Sequence, residues 1–385
     1  MWIVAKSLFW TSLGIFLFRG QFITAKTPKL LGKILYWLGV PLQILVLTRR
    51  SDFSQIVWLS PVVAIAILLI GLSLAWLCLQ IPKKVGYHLC DRSLKWQQWR
   101  EWEYFSLGFA MPPQLSVFGN VIDGNTHYFS LIPFNFLSHS SLSDFWSSNR
   151  ISQPQERLFS TILKFSFTCH KRASKASFIL ASMLGNTGFI GLAIAPALID
   201  SSYWSWIVIY GVAHSIFGSY GLGVILANYY SNSAQAKNWQ QQLHHILLIP
   251  SLWAFLLGWL TKDISFPSNL ESALQNATLF IIPGAFLLIG MQLSTIDKIE
   301  SCYTALFSTA IKISILPLLT GLGLTLLGID GDARLALVLM SGMPTAFANA
   351  ILAEEYNLDR QIATSSILLS TIVFPLILPL WLILF

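Results

Sequence analysis

The stretch "LGNTGFIGLAIAPALID", Leu184 to Asp200, lies where an apolar membrane-spanning helix is expected, yet its composition opposes a regular helix. Glycine recurs at every third position from Gly185 to Gly191, and Pro196 follows more than one turn later. Glycine weakens a helix, and proline cannot donate the backbone hydrogen bond that a helix interior requires. The stretch therefore predicts a span that is interrupted.

The composition of the whole chain is that of a membrane protein. Hydrophobic residues make up 55% of the 385 residues and charged residues only 11%, with a mean hydropathy of +0.63. A membrane-spanning helix needs about 20 mostly apolar residues. The first apolar run is predicted to be a true helix rather than a signal peptide, because no clear cleavage site follows it. Runs of this kind predict an all-α, polytopic membrane protein with about ten spans: 2–19, 31–48, 54–80, 176–199, 203–229, 241–261, 271–294, 303–328, 334–354 and 361–385.

The basic residues predict the orientation. Cytoplasmic loops retain Lys and Arg, and these residues are more frequent in the set of loops that includes Arg19 to Lys33 than in the opposite set. Both termini are therefore expected outside, in a multi-pass protein of the plasma (inner) membrane, in contact with the lipid bilayer. The net charge of +7 follows from this topology, so no nucleic-acid partner is expected. The oligomeric state stays open, with a homodimer as one alternative.

The spans divide into two sets of five. The predicted organisation is spans 1–3 in residues 1–80, a cytoplasmic insertion in 81–175, spans 4–5 in 176–230 and spans 6–10 in 240–385. Without the insertion the two sets have similar lengths. An odd number of spans per set places the second set upside down relative to the first, which is the inverted-repeat plan of many secondary transporters. Under this plan the ninth span should be interrupted like the fourth.

The ninth span has the expected composition. It reads "LMSGMPTAFANAILAEEYNLD", Leu339 to Asp359, with Gly342 and Pro344 inside the apolar run. Paired interrupted spans indicate a transporter binding site, because freed backbone groups at membrane depth are tolerated only where they line a cavity or are buried in protein. The alternative is that these Gly and Pro residues serve helix packing or kinks alone.

These motifs resemble a known family. The segments "GNTGFIGLAIAPAL", "GMPTAFANAILAEEYNLD" and "ATSSILLSTIVFPLILPLWLIL" are similar to the auxin efflux carrier (PIN-like) family, and the similarity covers most of the chain outside the insertion. The resemblance implies ten helices in two inverted five-helix repeats. It also implies that broken helices 4 and 9 cross between a transport domain and a scaffold domain, and that their crossing forms the substrate site.

The resemblance assigns substrate-binding residues position by position: Asn186, Thr187, Gly188 and Gly191 in the fourth helix, and Pro344, Thr345 and Asn349 in the ninth. One position departs from the family pattern. This chain has Ala193 where the family usually has proline, and Pro196 comes three residues later. The break is therefore expected to be milder, or displaced by most of a turn.

Broken helices favour the binding of an anion. Each break creates a half-helix N-terminus with free N–H groups and partial positive charge. Asn186 and Asn349 can add amide donors without the cost of a buried charge, and Thr187 and Thr345 offer hydroxyls. A carboxylate is the favoured guest. The alternative is that these side chains only satisfy the backbone groups that the breaks release.

Two titratable residues within spans are candidates for coupling or counter-charge. Lys312 lies deep in the eighth span, where a charge is costly and marks a functional site by default. It is expected to act either as the counter-charge to an anionic substrate or as the cation that swaps with a coupling proton or sodium ion. The alternative is that its side chain snorkels to the membrane interface. His214, in the fifth span, is a candidate proton relay, with a simple hydrogen bond to a neighbouring helix as the alternative.

No cofactor and no metal site are expected. Cys90 and Cys169 lie near His88 and His170 at the two ends of the insertion, but their spacing matches no zinc motif. The sequence has no GxxxxGK[ST] loop, no GxSxG elbow and no HExxH motif. An ATP-driven pump and an intramembrane enzyme are therefore not favoured, and the polar stripe of a channel pore is missing as well.

The insertion 81–175 is basic and aromatic at its start, and it contains a candidate hairpin around Asp123–Asn125. It is either a cytoplasmic subdomain at the lipid surface or a tolerated insertion. Taken together, the sequence predicts a secondary transporter that moves a small organic anion, with a carboxylate favoured, by alternating access. The alternative is a transporter-like membrane sensor that signals through the insertion.

Overall fold

The helical nature of the chain is as predicted. The described part of the chain forms helices and contains no strand, and it belongs to one compact unit, Met1–Gln80 with Phe165–Phe385. The predicted hairpin and the four Cys and His residues considered for zinc lie outside the described residues. The computed structural model describes residues 2–24, 26–53, 57–80, 171–231, 247–294 and 302–385.

The helices follow the apolar runs of the sequence. Before the insertion they are α1 (Trp2–Arg19), α2 (Thr27–Arg50) and α3 (Leu59–Gln80). After it come α4 (Arg172–Met183), α5 (Thr187–Ala197) and α6 (Ser201–Tyr230). The remaining helices are α7 (Pro250–Leu260), α8 (Ser268–Ser294), α9 (Tyr303–Leu326), α10 (Gly331–Ser341), α11 (Ala348–Glu355) and α12 (Arg360–Leu384).

Six of the described helices are long and apolar enough to cross a membrane, namely α2, α3, α6, α8, α9 and α12. The fourth and ninth predicted spans are each divided into two shorter helices, α4 with α5 and α10 with α11. The two regions that the sequence marks with Gly, Pro and Asn are therefore the two places where an apolar run is split.

Several spans contain π-helical segments: Leu35–Gly39, Thr187–Gly191, His214–Gly223 and Ile311–Ile315. One of them precedes Pro317, which cannot donate to the carbonyl four residues earlier. That carbonyl, of Ile313, instead accepts a hydrogen bond from the Trp381 indole N–H at 3.3 Å. π segments are often found at functional sites. These turns are positions where the described spans depart from a regular α-helix.

The helices form two packing groups. In the first, α1 lies along α8, and α2 packs against both α7 and α8. The α1–α8 contact is backbone to backbone, because a Cβ added at Gly290 would lie 2.0 Å from the Thr11 carbonyl oxygen. The second packing group contains α3–α6 and α9–α12, with α12 against α4 and α9, and α10 against α6 and α9.

Candidate binding site at the crossing of two broken helices

The first break separates α4 from α5 at Leu184–Asn186, well before Pro196. Asn186 caps α5, because its side-chain Oδ1 accepts a hydrogen bond from the Phe189 backbone N–H at 3.2 Å. At Pro196 the chain only tightens into a 3₁₀ turn. Gly185 and Asn186, rather than Pro196, therefore mark the position of the break.

The second break separates α10 from α11 at Gly342–Phe347, and Pro344 lies within it. Thr345 is fixed in this segment by two side-chain hydrogen bonds. Its backbone N–H donates to Ser370 Oγ at 3.0 Å, and its hydroxyl donates to the Ala181 carbonyl at 3.0 Å. Both partners lie in the second packing group, so this break is anchored within one group.

The two breaks cross and pair through their backbones. Gly185 and Thr345 form an isolated antiparallel bridge. Two hydrogen bonds flank it: Asn186 N–H donates to the Pro344 carbonyl at 2.7 Å, and Ala346 N–H donates to the Leu184 carbonyl at 3.0 Å. Backbone groups that one break releases are thus satisfied by the other, as buried peptide groups away from water require.

Lys312, on α9, lies directly behind the crossing. Its side chain is only 1% exposed, and its Nζ donates to the Ser341 carbonyl at 2.5 Å. That carbonyl is at the C-terminal end of α10, where the helix dipole is negative. A Cβ added at Gly185 would lie 2.8 Å from Lys312 Cε, so glycine at this position makes room for the lysine.

His214, on α6, contacts the first break at Gly185 and Thr187. Its Nε2 accepts a hydrogen bond from the Gly185 backbone N–H at 3.4 Å, and its Nδ1 lies 3.5 Å from Thr187 Oγ1. Its ring stacks on that of Tyr210, with centroids 6.0 Å apart. The two polar contacts fit a neutral imidazole that carries its proton on Nδ1.

Two buried amides near the crossing have unsatisfied polar atoms. Nδ2 of Asn186, and both Oδ1 and Nδ2 of Asn349, have no hydrogen-bond partner among the described residues. The two residues are 4% and 1% exposed. An unpartnered buried polar group costs about 1–3 kcal/mol. In native proteins such a group calls for a specific explanation, such as a water or an ion, and a ligand with complementary groups is equally suited.

A cavity of about 800 Å³ lies between the two packing groups. Its walls are α2, α7 and α8 on one side and α5, α6 and α11 on the other, and its volume is typical of small-ligand sites. Asn186, Thr187 and Gly188 line it, together with Ala346–Ala348 of the second break. The other predicted site residues are not part of its lining: Gly191, Pro344, Thr345, Asn349, Lys312 and His214.

Comparison with known proteins identifies the family. A family model described as "Membrane transport protein" matches residues 157–382, more than half of the chain. The chain belongs to this family. It is the auxin efflux carrier family that the sequence motifs resemble, so that prediction is confirmed, and the protein is an integral, multi-pass membrane protein of a family of transporters.

Two curated relatives are each described as an uncharacterized transporter. The one from Methanothermobacter thermautotrophicus is 24% identical over 203 residues, which is 52% of this chain and 65% of the relative. The one from Methanocaldococcus jannaschii is 23% identical over 211 residues, 53% of this chain and 66% of the relative. The chain therefore matches just under two thirds of the length of these relatives.

In this family member the cavity wall includes residues that the sequence analysis did not select: Lys29, Lys33, Tyr36, Ser219, Tyr220 and Gln292. The hydroxyls of Tyr36 on α2 and Tyr220 on α6 are hydrogen-bonded, which connects the two packing groups across the cavity. On α2 the lining residues Lys29, Lys33, Tyr36 and Val40 recur at helical spacing, which is the sequence signal that could have revealed them.

Gln43 is a further residue that the sequence analysis did not select. It is buried in α2, and its Nε2 donates to the Leu192 carbonyl at 2.7 Å. That carbonyl lies four residues before Pro196, which has no N–H to reach it. Gln43 therefore satisfies the backbone group that Pro196 leaves free, and in doing so it joins α2 of the first packing group to α5 of the second.

Proposed function

We propose that this member of the membrane transport protein family is a secondary transporter that carries a small organic anion, with a carboxylate as the favoured class, by alternating access. The observation that carries the proposal is the Asn186 side chain. It is buried, its Nδ2 has no hydrogen-bond partner among the described residues, and it lines an 800 Å³ cavity beside the crossing.

The proposed architecture is ten spans in two inverted repeats. In this arrangement α1, α2, α3, α4/α5 and α6 correspond to α7, α8, α9, α10/α11 and α12. The packing supports the proposal, because the repeat operation exchanges the α1–α8 contact with the α7–α2 contact. The two broken spans are the fourth element of each set, and the bridge between Gly185 and Thr345 lies where such an axis would pass.

The binding chemistry follows from the first break. Asn186 Nδ2 is a donor for a carboxylate oxygen, and the Thr187 hydroxyl lies beside it on the cavity wall. A Cβ added at Gly188 would meet no atom within 4 Å, so a ligand can approach the backbone at the start of α5 closely. The helix dipole there favours negative charge. Asn349 and the other predicted substrate-binding residues that do not line the cavity are proposed to complete the site from positions behind the cavity wall. These residues are Gly191, Pro344 and Thr345.

Lys312 is proposed as the counter-charge. Its ammonium is separated from the cavity wall by Gly185, which has no side chain to increase the distance. In this poorly polarisable interior a positive charge favours an anion nearby more strongly than it would in water. His214 is proposed to hold the first break in place and, in its neutral form, to be available for proton coupling.

Alternating access is proposed to occur between the two packing groups. The cavity has one wall from each group, so relative movement of the groups would open and close it. Polar contacts such as Tyr36 with Tyr220 and Gln43 with the Leu192 carbonyl cross between the groups. The groups also share a buried apolar core that includes Ile44, Ile289 and Ile207, so this movement would have to repack those side chains. With both termini outside, as the basic residues predict, the cavity of this conformation opens to the cytoplasm through the end that holds Lys29 and Lys33.

The experiment that tests this proposal uses the purified full-length protein in liposomes on a solid-supported membrane. Charge movement is recorded after pulses of acetate, malonate, benzoate and indole-3-acetate, with and without sodium and at two pH values. A saturable current for at least one anion, absent from empty liposomes, is expected. Absence of current together with absence of radiolabelled anion exchange and of any ligand-induced thermal shift would contradict the proposal.

A further inference from the structure

The mouth of the cavity carries two lysines that the proposed mechanism has not used. Lys29 and Lys33 both line the cavity, and they are four residues apart on α2, so their side chains are neighbours on one helix face. Both are exposed. Neither makes a hydrogen bond or an ion pair with any described residue. Two ammonium groups that have no partner in the described part of the chain are therefore presented side by side to an entering ligand.

Their depth follows from helix geometry. The residues of α2 that line the cavity run from Pro28 to Val40, which corresponds to about 18 Å along the helix axis. This is more than half of the hydrocarbon thickness of about 30 Å. On the opposite wall, α11 begins beside the crossing and ends at Glu355. The lysines therefore lie at the mouth of the cavity, and Asn186 lies at the end beside the crossing.

The charges of the described cavity wall are concentrated at the mouth: Lys29, Lys33 and, across from them, Glu355. The balance is positive, and along α2 the next polar lining residue inward is Tyr36, whose hydroxyl is hydrogen-bonded to that of Tyr220. A carboxylate that enters along α2 therefore meets the two ammonium groups before the Tyr36 hydroxyl. The order of groups along the wall is therefore charge first, hydroxyls next and the Asn186 amide last.

We propose that Lys29 and Lys33 form an anion-recruiting subsite at the cavity mouth, where a carboxylate is bound before it moves inward to the crossing. The proposal rests on the proposed function, since it assumes that the cargo is a carboxylate. Glu355 is the acidic residue of the described cavity wall, and it leaves the net charge of the three residues positive. Recruitment of this kind sets the apparent affinity for the cargo and leaves the speed of the conformational change unaltered.

The expected size of the effect is set by electrostatics in a hydrated site. One unit charge about 7 Å from a carboxylate, at the dielectric constant of water, changes its binding by roughly threefold. Removing both lysines should therefore weaken binding by roughly five- to tenfold. The effect should fade at 1 M salt, where the screening length falls to about 3 Å.

The transport test compares a double variant with a matched control. Initial uptake of benzoate and of malonate into liposomes is measured for the K29Q/K33Q protein and for Lys26→Gln, which removes an exposed lysine at the same helix end that does not line the cavity. We expect KM to rise roughly five- to tenfold in the double variant with Vmax unchanged, and no change in the control. A K29R/K33R protein should retain the wild-type KM.

A second measurement does not depend on transport. Acetylation of lysines by an amine reagent is followed by mass spectrometry with and without millimolar benzoate or malonate. Selective protection of Lys29 and Lys33 over Lys26 would support the subsite even if no anion were transported, in which case only the proposed function would fail. Equal modification of all three lysines would overturn the subsite.

Two other results would also overturn it. One is a KM increase in Lys26→Gln as large as that in the double variant, which would indicate a general surface-charge effect. The other is loss of the double-variant effect in vesicles made only of phosphatidylcholine, which would indicate that the lysines act on anionic lipid headgroups rather than on the cargo.

Discussion

Asn186 and Thr345 lie next to each other at the crossing, one in each break, but their polar groups are used differently. Thr345 has both its backbone N–H and its hydroxyl bonded to helices of the second packing group. Asn186 uses one side-chain atom to cap α5 and leaves the other without a described partner on the cavity wall. The first break therefore faces the cavity, whereas the second mainly secures the crossing.

The largest effect is expected from removing the amides of the two breaks separately. Asn186→Ala removes a donor that faces the cavity, and a hydrogen bond to a charged group contributes about 1.5–3 kcal/mol, which is roughly 10- to 150-fold in affinity. Asn349→Ala should cost less, because Asn349 does not line the cavity. Ligand-induced thermal shifts of correctly inserted protein would measure both. Wild-type affinity in both variants would remove the site assignment.

The second effect concerns the cation behind the crossing. Lys312→Gln removes the charge, but its amide can still donate to the Ser341 carbonyl. Folding should therefore be kept, while anion affinity falls and the charge moved per anion changes. Currents on a solid-supported membrane, divided by radiolabelled flux, give that ratio. An unchanged ratio and an unchanged affinity would show that Lys312 is only a structural donor.

Alanine substitutions at Gly185 and at Gly188 should affect stability differently, because Gly185 packs against Lys312 and Gly188 faces open space. Gly185→Ala should destabilise the protein by about 1–3 kcal/mol, because the new methyl group meets Lys312 Cε at 2.8 Å. Gly188→Ala should leave stability unchanged, since its Cβ would enter open space. Thermal unfolding in detergent measures the difference. Equal transition temperatures for the two variants would contradict the account of Lys312 packing.

The last comparison concerns the polar anchors of the two broken spans, where the smallest single effect is expected from Ser370→Ala. Gln43→Leu leaves the Leu192 carbonyl without its donor and loosens a contact between the packing groups, so both stability and transport rate should change, with a stability loss of about 1–3 kcal/mol. Ser370→Ala removes an anchor within one group and should lower stability by about 1 kcal/mol with no change in rate. A rate change in Ser370→Ala alone would reverse this distinction.

Much of the fold was predictable because its signals are local. Apolar runs of sufficient length gave the helices, and clustered Gly, Pro and Asn residues marked the two interruptions near Gly185 and Pro344. The exact position of the first break was less evident, since Pro196 suggested a later one. Proline there is tolerated because the Gln43 amide replaces the missing donor from a distant helix.

The candidate site was only partly predictable, because its walls depend on tertiary packing. The predicted residues Asn186, Thr187 and Gly188 do line the cavity, but nothing local distinguishes them from Asn349 or Thr345, which do not. Tyr36 and Tyr220 are 184 positions apart and lie in two separate apolar spans. A single sequence has no signal for such a contact, whereas the helical spacing of Lys29, Lys33 and Tyr36 is visible in it.

The most direct test of the central claim is a structure of the protein in lipid nanodiscs with the carboxylate that gives the largest transport current. The account predicts density for the carboxylate within hydrogen-bond distance of Asn186 Nδ2, beside Gly188 and inside the cavity. Density only at a distant surface, or an anion bound to Lys312 on the far side of Gly185 with the Asn186 amide still unpartnered, would contradict it.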